Sequence, residues 1–177
     1  MSRIPYPELT QEQQQALSKN PINLTRMLFH MPDDIRGGMS QMGRYLLWNS
    51  PYDAKLRELV ILRVGYLSKS AYEEHQHRAY GKKEGLRDDQ IEAALAPTLA
   101  APLTDKEQAV LRFTEDVVVN VRPSDKALAE VRQYLSDREV FETLGIIGNY
   151  MLIARILETA GVEIDAPGVI VANPDNN

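Results

Sequence analysis

The sequence predicts an all-α fold, a single-domain helical bundle of about eight helices. Three observations carry this. Apolar residues recur at helical spacing in the last long segment, where Val140, Phe141, Leu144, Ile147 and Met151 line one side. Helix-start signals punctuate the chain, with Thr10 followed by Gln13 and Thr104 followed by Glu107 as capping boxes. No segment reads firmly as a strand.

Taken in order, Ser2 to Leu9 holds Pro5 and Pro7 and is expected to be extended. The Thr10 box opens a short helix to about Ser18, ended by Asn20-Pro21. A second short helix fits Leu24 to His30. After the break at Met31-Pro32, residues Met39, Met42, Gly43, Leu46 and Leu47 give one apolar face. Ser50-Pro51 has the form of a cap and first-turn proline. From Leu59 the next segment, Asp53 to Leu67, is apolar almost all round apart from Arg63, the pattern of a helix buried on most sides. Leu59 to Val64 alone could be a strand, but the flanking Ala-Lys-Leu-Arg-Glu favours helix.

Ser68 or Ser70 caps Ala71 to Glu84, closed by Gly85; Asp88 to Leu95 is a short helix, and 97–102 a linker. Thr104 starts Asp105 to Asn120, and Pro123-Ser124 separates it from Lys126 to Leu135. Arg138 to Thr159 is the longest helix; Ile146, Tyr150, Ile153 and Leu157 give it a second apolar side. That fits either a subunit contact or a central core helix. The chain after Gly161 is expected to pack loosely or fray.

The totals exclude several functions. With 177 residues the chain suits one domain, and 44% hydrophobic and 25% charged residues are ordinary for a soluble protein. The net charge of -5 and scattered Lys and Arg argue against nucleic-acid binding. Without cysteine there is no disulfide, thiolate metal site or thiol nucleophile. The N-terminus lacks a signal-peptide pattern, and the uninterrupted apolar runs are short of a membrane span, so a cytoplasmic protein with no membrane association is expected.

The chemistry-bearing residues are few. Of three histidines, His30 follows an apolar face and reads as a core or interface residue, while His75 and His77 lie together. On a helix Glu73 and His77 are one turn apart on one face, whereas His75 lies about 200° round from Glu73. Such a pair is either solvated surface or the orienting pair of a general acid/base. His-x-His spacing diverges on a helix, so no metal site is expected. Glu58 begins the buried stretch and is either a polar helix end or a carboxylate facing a pocket. Glu74 and Arg78 read as an exposed i,i+4 pair.

Arg57-Glu-Leu-Val-Ile-Leu-Arg-Val64, then Tyr72-Glu73, His77, Gly85-Leu86 and Ile91, resembles the carboxymuconolactone decarboxylase and alkylhydroperoxidase-D superfamily. The likeness reaches back to Asn23 and forward to Glu107, Glu115 and Gly148-Asn-Tyr150. It covers residues 20–163, leaving 1–19 as an N-terminal extension with a short helix and 164–177 as a C-terminal tail. In the peroxidase branch a Glu precedes a Cys-x-x-Cys and a His. Here Glu58 and His77 match the Glu and His, while Ser70 and Glu73 stand at the two thiol positions, so thiol-based peroxide reduction is excluded. The other branch, with Glu and His four apart, matches Glu73 and His77, although Glu74 replaces its usual aromatic.

The resemblance implies an all-α alkylhydroperoxidase-D-like bundle and a homo-oligomer, trimer or hexamer. It also implies a cofactor-independent decarboxylase or related lyase of a small carboxylated lactone. Glu58, Glu73 and His77 would be catalytic, Tyr72 and Tyr150 donors, and Arg57 or Arg63 the partner of a substrate carboxylate unless they form structural ion pairs. A non-catalytic oligomeric binding protein on the same scaffold, or an isomerase or hydrolase of another small cyclic substrate, are the alternatives.

Overall fold

A computed structural model describes residues 1–171. Among these residues there are nine α-helices and no strand: α1 (Gln11–Ser18), α2 (Asn23–Met27), α3 (Asp33–Arg44), α4 (Ala54–Leu67), α5 (Ala71–Lys83), α6 (Asp88–Ala94), α7 (Asp105–Asn120), α8 (Asp125–Val131) and α9 (Asp137–Ala160). The chain divides into two compact units, residues 1–50 with 155–177, and residues 51–154.

In the first unit both residues of the Thr10 capping box are engaged, Thr10 Oγ1 accepting from Gln13 N and Gln13 Oε1 from Thr10 N. The helix expected over Leu24 to His30 stops at Met27 and finishes as a 3₁₀ turn, Leu28–His30. His30 is exposed, so it is not a core residue, and its Nε2–H donates to the Pro5 carbonyl at 2.8 Å. The apolar face anticipated along Met39 to Leu47 buries only Leu46 and Leu47, which lie in a π-helical turn, Tyr45–Asn49; α3 itself buries nothing within its unit. After α9 the chain is tied down where fraying was expected. Asp165 is buried and accepts from Asn23 N at 2.8 Å, and Asn23 Nδ2 donates to the Glu163 carbonyl at 2.9 Å. Residues 172–177 of the anticipated tail lie outside the described residues.

The second unit is built on α4. Its cap is Asp53, whose carboxylate accepts from Leu56 N at 2.9 Å; Ser50 instead ends the preceding π turn. Every residue from Leu56 to Gly65 is buried. Surrounding helices therefore cover the whole circumference, and α4 packs chiefly against α5 and α7. Gly85 closes α5 with φ +93°, the left-handed conformation glycine takes without steric cost. Both residues of the Thr104 capping box on α7 are engaged. Tyr52 OH and Thr143 Oγ1 share a buried hydrogen bond of 2.8 Å that joins the start of α4 to α9.

Two surface expectations need correcting. Arg78 pairs with Glu92 of α6 rather than with Glu74, because a carboxylate from the next helix meets both guanidinium nitrogens. And α9, 24 residues long, is long and apolar enough to cross a membrane by length and composition, although no uninterrupted apolar run suggested it. Its buried residues include the polar groups Thr143, Asn149 and Tyr150.

Candidate active site

The site lies in the second unit, where α4, α5 and α9 place their side chains. Glu58 on α4 is wholly buried, and a carboxylate there requires partners. It has two. Arg57 Nε donates to Glu58 Oε1 at 2.9 Å, and His77 Nδ1–H of α5 donates to Glu58 Oε2 at 2.7 Å. The remaining ring nitrogen, His77 Nε2, faces Glu73 Oε2 at 3.3 Å across one turn of α5. Arg57, Glu58, His77 and Glu73 thus form a line of alternating charge capacity inside the helical core.

Two tyrosines wall the imidazole. The Tyr150 ring of α9 meets it edge-on, centroids 5.0 Å apart and planes at 88°, and the Tyr80 ring lies 6.3 Å away. Both tyrosines are buried. Gly81 keeps the seam open, since a Cβ there would stand 3.0 Å from Leu86 and 3.7 Å from Glu58.

Burial and charge set the protonation of the line. Burial raises the Glu73 pKa to about 7; the His77 charge opposes this and Glu58 adds to it. For His77, burial pulls downward, but the charge and hydrogen bond of Glu58, with Glu73, outweigh it, and the imidazole is held above its ordinary value. Burial, then the charges of Glu58 and Glu73, push Tyr150 well above the usual phenol range, so it stays a neutral hydroxyl. Near neutral pH the His77–Glu73 pair therefore holds an exchangeable proton, the requirement for general acid/base work.

The other residues singled out in the sequence sit as follows. Arg57 is in the line, but as the partner of Glu58; its Nη2 lies 3.7 Å from Glu84. Arg63 is buried and takes a structural part: Nη1 donates to the carbonyls of Ala94 and Ala96 at 2.9 and 2.6 Å, and Nη2 pairs with Glu115. Five residues beyond Glu58, it lies about 140° round the helix, which keeps it out of the line. Tyr72 is buried on α5, about 140° from His77 by the same geometry. Ser70 is buried at the start of α5. Sequence reasoning missed Tyr80, whose i,i+3 spacing to His77 was the available signal, and Asn149, buried beside Tyr150. Among the described residues no group of three or more His, Asp or Glu stands ready to hold a metal ion.

Residues 34–116 match the family model of the carboxymuconolactone decarboxylase family. No curated protein matches the chain. Among solved structures it is similar to an alkylhydroperoxidase-D core, an uncharacterized peroxidase-related protein from Ralstonia eutropha JMP134, at 18% identity and TM-score 0.79, covering 93% of this chain and 92% of that one. It is similar also to an uncharacterized peroxidase-related protein from Silicibacter sp. TM1040, at 16% identity and TM-score 0.77, covering 93% and 91%. A third is a variant of the debrominase Bmp8 in complex with 2,3,4-tribromopyrrole, at 12% identity and TM-score 0.77, covering 94% and 95%. At these identities the likeness speaks for the fold, and the fold agrees with the family match. The chain thus carries a carboxymuconolactone decarboxylase family match over residues 34–116 on an alkylhydroperoxidase-D-like all-α fold, and it holds no cysteine.

Proposed function

We propose that the protein is a cofactor-independent acid/base enzyme, a decarboxylase or related lyase of a small carboxylated lactone or similar acid. The observation that carries the reading is the line Glu58–His77–Glu73, with contacts of 2.7 and 3.3 Å. Without cysteine the thiol chemistry of the peroxidase branch has no nucleophile, whereas proton transfer has all its parts. In such a decarboxylation the bond to the substrate carboxylate breaks and carbon dioxide leaves. The electron pair passes into the conjugated lactone as an enolate, and His77 Nε2 with Glu73 delivers the one proton the carbon gains. Glu58 holds the Nδ1–H and steadies the imidazolium; solvent restores the proton.

Replacing His77 with Asn or Ala tests this. Turnover of a carboxylated γ-lactone is expected to fall about 100-fold or more with helical content and assembly intact, general acid/base groups contributing 10² to 10⁴. Unchanged turnover in a folded variant would remove the assignment. Measured release of carbon dioxide separates a decarboxylase from an isomerase or hydrolase using the same groups. Burial of the whole line favours a second reading, a binding protein that holds a small acid without turning it over; thermal shift by small lactone acids with no product formed supports that one. We propose in addition a cytoplasmic homo-oligomer, a trimer or hexamer, supported by the outward Phe141 and Leu152 of α9, 74% and 45% exposed.

A further inference from the structure

Arg57 and Glu58 are neighbours on α4, yet the guanidinium folds back onto the carboxylate, and both residues are buried, at 3% and 0% exposure. A guanidinium often meets a carboxylate through two parallel bonds. Arg57 instead makes one hydrogen bond among the described residues, from Nε to Glu58 Oε1 at 2.9 Å. Its Nη2 is buried without one, 3.7 Å from Glu84 Oε1. An unmet buried donor costs stability, so stability alone does not account for this pairing. What the single bond achieves is to leave Glu58 Oε2 for His77 Nδ1–H at 2.7 Å. Arg63, by contrast, spends its nitrogens on two carbonyls and Glu115.

His77 is faced by Glu58 from α4, with Arg57 behind it, by Glu73 and Tyr80 from its own helix, and by Tyr150 from α9. Gly65 lets α4 and α5 approach here, since a Cβ at that position would stand 3.2 Å from the Glu73 Cβ. A guanidinium keeps its proton inside a protein, whereas imidazole and carboxyl groups exchange theirs. Arg57, Glu58 and Glu73 therefore bring one fixed positive charge and two carboxylates, and an unbalanced charge is costly in a buried place. One proton, shared between His77 Nε2 and Glu73 Oε2 at 3.3 Å, balances the line. Without Arg57 the balance takes a second proton. An imidazolium and a protonated Glu73 would then stand side by side, neither able to take the other's proton. In keeping with this, burial and the Arg57 charge pull the His77 pKa down, against the charge and hydrogen bond of Glu58 and the charge of Glu73.

We propose that Arg57 is a positioning residue for the acid/base pair. Held to one oxygen of Glu58, it turns the other onto His77 Nδ1–H, and its fixed charge limits the line to the single proton that His77 Nε2 and Glu73 exchange. This rests on the acid/base reading above and deepens it, naming what sets the tautomer and the proton count.

The test is nitrogen-15 NMR of the imidazole in the full chain, with no ligand added, alongside pH–rate profiles on the carboxylated γ-lactone. In the wild type Nδ1 is expected to stay protonated throughout the range in which Nε2 titrates. A wild-type Nδ1 that loses its proton would overturn the proposal. In R57Q the Nε2 midpoint should move to higher pH, and the basic limb of the profile with it. A more firmly held proton is delivered more slowly, so kcat should fall about tenfold. R57K, which keeps the charge but not the planar fork, should hold the wild-type midpoint and lose part of kcat. A lower Tm in R57Q with an unmoved midpoint would make Arg57 structural and overturn the proposal, and so would an R57K midpoint displaced as far as that of R57Q. If R57Q does not fold, the wild-type spectrum and R57K decide. If H77N abolishes turnover while R57Q keeps the wild-type midpoint, the role of Arg57 fails and the acid/base reading stands. If R57Q moves the midpoint while H77N still turns over, Arg57 sets the proton count and the acid/base reading fails.

Discussion

Glu73 is the side chain whose ionisation has the clearest consequence. It faces His77 on its own helix, Glu58 with Arg57 on α4, and the Tyr150 ring of α9 beyond the imidazole. Its pKa is about 7 in the fold against 4.5 for the ordinary group, so between these values the folded chain holds a proton that the unfolded chain has released. Stability is therefore lost as pH rises from about 4.5 to about 7, by at most about 3 kcal/mol. His77, also raised, acts in the same sense above its ordinary 6.5. Glu73→Gln removes only the first contribution. Denaturant titrations from pH 4.5 to 8 are expected to show the wild type losing stability relative to E73Q across that range; parallel curves would show that Glu73 does not carry the proton. The sequence put Glu73 and His77 on one face from their spacing, but it could not show that Glu58 meets the other ring nitrogen, which depends on how α4 crosses α5. It left Arg57 open between a substrate carboxylate and a structural ion pair; the guanidinium folds back onto Glu58, its neighbour in the helix, a contact that helical spacing does not normally give.

At the level of elements, local chemistry was legible where the signal was internal to the segment. The two threonine capping boxes, Gly85 after α5 and the all-round apolar α4 follow from residues a few positions apart. Errors came where another group competed for the same role, near in the chain or far along it. Asp53 takes the cap that Ser50 was expected to fill, and Glu92 on α6 takes Arg78 from Glu74. The contact between Gly65 and Glu73 shows how closely α4 governs the start of α5. G65A gains helix propensity of about 1 kcal/mol and loses a similar amount to overpacking, so Tm should change little. The added methyl must nevertheless move Glu73 by a few tenths of an ångström, and kcat is expected to fall several-fold with KM less affected. Unaltered kcat in G65A would mean that the placement of Glu73 is not critical to turnover.

For the whole molecule, the all-α class and the absence of strands among the described residues were readable from periodicity and caps. Assembly was not, since both a core helix and a subunit contact explain two apolar sides. On α9 the inner side is occupied by Ile146, Ile147 and Tyr150 within the second unit, while Phe141 and Leu152 remain outside. Replacing both with Glu is expected to shift light-scattering mass from an oligomer to a monomer without loss of helical signal. An unchanged mass would move the contact to another face.

Arg63 began as a candidate for substrate and ended as the partner of the Ala94 and Ala96 carbonyls. α6 has no glycine after its last turn, and the chain runs on into Ala96-Pro97. Its closing carbonyls are thus met by a side chain more than thirty residues earlier in the chain. A seven-residue helix finished in this way has no autonomous existence. Its end is completed only with the central helix in place, so the integrity of α6 depends on one guanidinium of α4.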